Sequence, residues 1–152
     1  MSDDARFEDG VAKPLRLKAI SLDDLEVVSA LVQDAIFPAT EMQWDRAGRR
    51  FAVLLNRFRW EDQRATPERV QTVLVVEDVQ RVQTQGVTRD ADTVLSLLAV
   101  GFQPGEDGTG RIELTLAGDG AIGIDVEALE IVLRDVTRPY VAPSGFAPDH
   151  PD

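Results

Sequence analysis

The chain is 152 residues long, with a formal net charge of −11, a pI near 4.5 and 43% hydrophobic residues. That length holds one ordinary domain around a single core, and the acidity opposes nucleic acid and anionic membranes at long range, so DNA is not an expected partner. Cysteine is absent and the one histidine, His150, lies in a proline-rich stretch near the end. Thiol nucleophiles, thiolate zinc sites, Ser-His relays and histidine metal clusters therefore lack their residues.

Residues 1–13 are polar and acidic and are expected to carry little order. They hold no basic region followed by an apolar one, and no apolar run approaches the length of a bilayer, so the expected setting is the cytoplasm with no membrane contact. Residues 14–138 read as the single globular domain, and 139–152 as a proline-rich tail in which ladder and helix hydrogen bonding is interrupted.

The domain starts with a predicted strand over 15–20 and a helix over 22–33. Ser21 is placed to cap the helix with Asp24 at its third position, Asp23 and Asp24 complement the positive end of the dipole, and Leu25, Val28, Leu31 and Val32 form one apolar stripe. Beyond Pro38 the period falls to about two, and strands are predicted over 41–44, 50–60, 70–77, 82–86, 94–102, 111–117, 121–126 and 129–133. The sharpest hairpin signal is Ile112, Leu114 and Leu116, then Gly118-Asp119-Gly120, then Ile122, Ile124 and Val126, where the Asp-Gly pair tolerates positive φ. Residues 94–100 and 51–55 are apolar on both parities, which predicts central strands covered on both faces.

A weak internal repeat links these pieces. An offset of 50 places Leu74, Val76 and Val82 over Ile124, Val126 and Val132, and an offset of 61 places Phe51, Val53 and Leu55 over Ile112, Leu114 and Leu116. Two similar antiparallel meanders are expected, the first with an eleven-residue longer hairpin connection. The fold class is thus α+β and β-dominated: two antiparallel β-meanders, as a sandwich or partly open barrel, with one N-terminal helix.

Few motifs carry chemistry. Gly118 to Gly123 matches G-x-G-x-x-G, but a dinucleotide site needs a helix after the glycines and an acidic residue about twenty positions on, and that position falls near Pro143. The loop from Pro104 to Gly110 holds Glu106 and Asp107 without the alternating carboxylates of a calcium loop. No cofactor, metal or catalytic residue is assigned. Asp23/Asp24, Glu61/Asp62 and Glu77/Asp78 are adjacent in sequence and so diverge in space rather than forming a facing acid pair.

The remaining asymmetry is charge. Between Arg46 and Arg69 seven arginines face three acids, a net of plus four against minus fifteen elsewhere. Arg57, Arg59 and Arg64 are the candidate partner- or anion-binding residues, interleaved with Phe58 and Trp60. In an extended segment Arg57 and Arg59 share one face and the aromatics the other, so the simpler expectation is core aromatics with outward arginines paired to carboxylates. Asn56, polar in an apolar run, reads as either a buried hydrogen-bonding residue or a site residue, the former being favoured.

The segments Leu54-Leu55-Asn56-Arg57-Phe58-x-Trp60, Leu95-Ser96-Leu97-Leu98-Ala99-x-x-Phe102 and Ala117-Gly118-x-Gly120-Ala121-Ile122 resemble a family of small uncharacterised bacterial proteins, a domain of unknown function, over nearly the whole ordered body. That resemblance implies kinship and no activity. The function expected is a non-catalytic cytosolic interaction module that self-associates or takes a protein partner. The alternative is binding of an anion, meaning a phosphate- or carboxylate-bearing ligand or RNA, through the arginine-rich hairpin; a carboxylate-based enzyme stands third.

Overall fold

Short runs of alternating apolar residues, punctuated by glycine and aspartate turns, favour hairpins over helices, and the computed structural model of the chain is built accordingly. It describes residues 14–60, 68–88, 90–138 and 140–141. Strand β1 (Arg16–Ala19) leads into helix α1 (Leu22–Leu31). Then come β2 (Ile36–Pro38), a 3-10 turn (Ala39–Glu41), β3 (Met42–Asp45), β4 (Arg50–Phe58), β5 (Glu68–Val76) and β6 (Val79–Gln85). The chain continues through β7 (Val94–Pro104), β8 (Gly110–Leu116), β9 (Ala121–Val126), β10 (Ile131–Asp135) and β11 (Tyr140–Val141).

The β-dominated α+β class is as expected, and the strands form one antiparallel sheet that does not close into a barrel. Its order is β1-β10-β5-β4-β2-β7-β8-β9-β6, with β3 beside β4 and β11 beside β5. Among the described residues no helix is long and apolar enough to cross a membrane.

The two expected meanders, β4–β5–β6 and β8–β9–β10, are not formed as such: each keeps its first hairpin, and their third strands are exchanged. β5 pairs with β4 and β10, while β9 pairs with β8 and β6. The exchange begins where Asp78, at φ 55°, turns the chain out of β5 and away from it. The likeness is one of order rather than register: Phe51 pairs with Val76, but Ile112 pairs with Ile124, two residues short of Val126. The longer hairpin of the first copy runs to the pair Phe58 and Arg69, whereas the second closes over Gly118 and Asp119, at φ 82° and 68°. The positive-φ pair is therefore Gly-Asp, one residue earlier than the expected Asp-Gly.

Helix α1 starts as its sequence predicts. Asp24 N–H donates to Ser21 Oγ at 3.2 Å and Ile20 N–H donates to Asp24 Oδ2 at 3.2 Å, a reciprocal cap that bonds two otherwise unpaired donors. Leu25, Val28 and Val32 are buried with Phe37, Leu55, Leu74, Leu97, Ile112 and Leu133 in one core. The helix ends two residues earlier than expected, at Leu31 with Val32 as its cap, and Asp34 at φ 65° redirects the chain into β2.

Two strands escaped the sequence reading. β2 has only three residues and shows no period, and β11 follows directly on Pro139, so that pairing with β5 resumes inside the proline-rich stretch. Gly120 and Gly123 lead into or sit within strand β9 rather than a helix, and a Cβ at Gly123 would meet the flexible end of the Arg111 side chain. Pro104 to Gly110 is the β7–β8 hairpin loop.

Candidate functional site

Strand parity decides where the arginines of the long hairpin point. Phe51, Val53 and Leu55 face the core, so Arg57 continues the inward row, and its side chain is 0% exposed. The outward placement expected for Arg57 is corrected: charge suggested solvent, but the alternation of β4 turns this side chain inside. A buried guanidinium needs a counter-charge and filled donors. Asp135 of β10 supplies the charge, with Arg57 Nη2 at 3.1 Å from Oδ1 and 3.3 Å from Oδ2. Arg57 Nε donates to Thr72 Oγ1 at 3.0 Å, and Nη1 donates to the Phe58 carbonyl at 3.1 Å. Thr72 Oγ1 in turn donates to Asp135 Oδ1 at 2.7 Å, and Leu15 N–H donates to Oδ2 at 2.8 Å.

Arg59 lies just beyond, its Nη1 donating to Glu68 Oε1 at 2.6 Å across the same hairpin, with both side chains largely covered. Phe58 is buried, 5.5 Å from Trp60 between ring centroids, and the Arg69 guanidinium stacks 4.0 Å above its ring. Trp60 Nε1 donates to the Gln33 carbonyl at 2.9 Å, tying the hairpin to the end of α1. Asn56 is hydrogen-bonded as expected, its Oδ1 accepting from Arg69 Nη1 at 3.2 Å, though only partly buried. Arg64 and His150 lie outside the described residues.

Carboxylates also answer Arg49 and Arg50. Arg50 Nε lies 3.1 Å from both Glu77 oxygens, and the bond and charge of Glu127 hold the Arg49 guanidinium above its ordinary pKa. Asp135 was the partner missed in sequence, 78 residues from Arg57, and no local signal marks it. No group of three or more acidic or histidine side chains placed to hold a metal occurs among the described residues.

A different surface emerges from the same strand parity. The inward faces of β4, β5 and β10 are packed, but their outward residues form cross-strand rows: Lys18, Val132, Val75, Ala52 and Gln43, then Arg16, Arg134, Val73 and Leu54. Ala52, Leu54, Val73, Val75 and Val132 are each partly exposed. The expectation that residues 51–55 are covered on both faces is therefore corrected, because apolar residues on the second parity sit on an open sheet face. The next row adds Ile36 beside Asn56 and Gln71, and Val94, 62% exposed, stands at the margin. On the β1 and β10 side Arg16 and Arg134 make no ion pair among the described residues. On the opposite side, exposed Glu41 lines a hollow of about 310 Å³ with Ile36, Leu54 and Val94. An apolar centre between separated opposite charges is what a complementary protein surface requires.

With this geometry in place, the family comparison adds kinship. The sequence profile of the family described as protein of unknown function (DUF2948) matches residues 15–150. The chain belongs to this family. The match spans β1 to beyond β11 of this DUF2948 protein, so both the buried Arg57 network and the open sheet face lie within the shared region. No curated protein and no solved structure matches it.

Proposed function

We propose that this DUF2948 protein is a non-catalytic interaction module that self-associates through the outer face of its sheet. The observation carrying the reading is the patch formed by Ala52, Leu54, Val73, Val75 and Val132, β-branched or apolar side chains on three adjacent strands with no described element packed over them. Apolar sheet area of this kind gains roughly 25 cal/mol for each Å² removed from water.

Charge selects a second copy and its orientation. A two-fold axis parallel to the strands sets the Arg16 and Arg134 side of one face over the Glu41 side of the other; an axis across the strands sets like charges together. Sheets packed in this way stand about 10 Å apart with strands nearly aligned. The anion-binding reading has less support, because Arg57 and Arg59 already engage Asp135 and Glu68.

Sedimentation equilibrium tests the proposal. The wild type is expected to dimerise, and to stay dimeric in about 1 M salt, where charges are screened within about 3 Å. Val73→Arg, which places a charge in the middle of the face, is expected to give a folded monomer. A monomeric wild type, or a Val73→Arg dimer of unchanged affinity, refutes the reading.

A further inference from the structure

A second surface, independent of the open sheet face, lies at the edge of β7. On one side β7 pairs with β8 from Leu97 to Pro104. On the other side its partners run out. β2 pairs only as far as Ser96, Leu97 N–H donates to the Ala35 carbonyl at 2.8 Å and Asp34 N–H donates to the Leu97 carbonyl at 2.8 Å, and then the loop departs. A bulge between Leu97 and Ala99 resets the alternation, after which Val100 N–H points away from β8 and donates to Ser29 Oγ of α1 at 2.9 Å. By the strict alternation of an antiparallel ladder, the Val100 carbonyl and both peptide groups of Phe102 point the same way. No described residue bonds them. Pro104, which has no N–H to leave unpaired, ends this edge.

Beside the edge runs a groove of about 490 Å³. One wall is the helix stripe Leu22, Glu26 and Ala30, at four-residue spacing, and the other is Leu98, Gly101 and Phe102. Gly101 leaves the strand open to approach, since a Cβ there would meet nothing within 4 Å. Unbonded strand groups next to a helix wall of mixed apolar and polar side chains are the elements of strand addition, in which main-chain hydrogen bonds hold a peptide and alternate side chains fill pockets. Glu26 is exposed, forms no ion pair or hydrogen bond with any described residue, and is the one charged side chain of the lining. The acidic Asp23 and Asp24 stand in the first turn of the same helix.

We infer that the groove between α1 and the Val100–Phe102 edge binds an extended segment of a partner protein, with apolar residues at alternate positions and a basic side chain meeting Glu26. The chain's two terminal segments outside the description differ from it in chemistry. Residues 1–13 are net acidic, with Asp3, Asp4, Glu8 and Asp9 against Arg6 and Lys13, and residues 142–152 hold three prolines and two aspartates.

The test uses the full chain and a fluorescein-labelled peptide of alternating valine and lysine, read by anisotropy and by amide chemical shifts. Saturable binding is expected, with the largest shifts at Val100 to Phe102. Glu26→Lys, on the exposed side of the helix, should weaken binding about tenfold. Because an acidic protein attracts any basic peptide, backbone pairing is tested separately with two versions N-methylated on alternate residues. One set should lose binding and the other keep it. Equal binding of both sets, shifts centred elsewhere, the absence of saturation, or Glu26→Lys altering the oligomeric state instead of peptide affinity overturns the inference.

Discussion

The Arg57 guanidinium and the Asp135 carboxylate meet at 3.1 Å with side chains 0% and 3% exposed, joining the β4–β5 hairpin to β10. Thr72 and the Leu15 N–H complete the carboxylate's shell, so one buried ion pair fastens β1, β4, β5 and β10 together. A pair of this kind adds less to stability than its Coulomb attraction suggests, because both ions leave water, but either partner is costly to leave alone.

Asp135→Ala is therefore expected to lower unfolding free energy by about 3–5 kcal/mol, as an uncompensated buried guanidinium remains. Thr72→Val, which removes the hydrogen bond from Arg57 Nε and the one to Asp135 Oδ1 but keeps the pair, should cost about 2 kcal/mol. Urea denaturation measures both, and similar losses for the two would remove the ion pair from its structural role. Charge reversal at Arg57 disturbs the same network, so it reads out folding rather than ligand binding.

Ser29→Ala withdraws the only acceptor that the Val100 N–H has among the described residues, in a residue 6% exposed. A destabilisation of about 1–2 kcal/mol is expected, with faster hydrogen exchange at Val100 than at its neighbours in β7. Unchanged exchange at that amide would show that another acceptor replaces the hydroxyl.

Asp90 sets the turn that enters β7. Its carboxyl is held below the usual aspartate range, first by the hydrogen bond from Thr93 Oγ1 at 2.7 Å and further by backbone N–H groups, that of Asp92 at 3.0 Å among them. A lowered folded pKa means that the contribution is fully present above the unfolded value of about 3.9 and is lost as pH falls through the lower folded value. NMR titration should place the Asp90 midpoint below that of an unstructured aspartate, and Thr93→Val should raise it. A midpoint unmoved by Thr93→Val would remove the hydroxyl as the cause.

Much of the architecture was legible because it is local. The Ser21 and Asp24 cap, the apolar stripe of α1, the β4–β5 and β8–β9 hairpins and the greater length of the first all follow from spacing along the chain. β2 was not legible, since three residues carry no period and its pairing with Asn56 and Ser96 is made by strands far along the chain.

The sequence by itself determined which residues alternate, where turns fall and that the chain belongs to a family of unknown function. Only the tertiary structure decided which side of each strand meets the core. Arg57 carries a charge that argues for water, yet its parity and a carboxylate 78 residues away put it inside. Leu54, Val73 and Val75 are apolar, yet they line a sheet face with no layer packed on it among the described residues. Periodicity reports that a strand has two faces. Which one is covered depends on packing between distant segments, and so on contacts that no local pattern encodes.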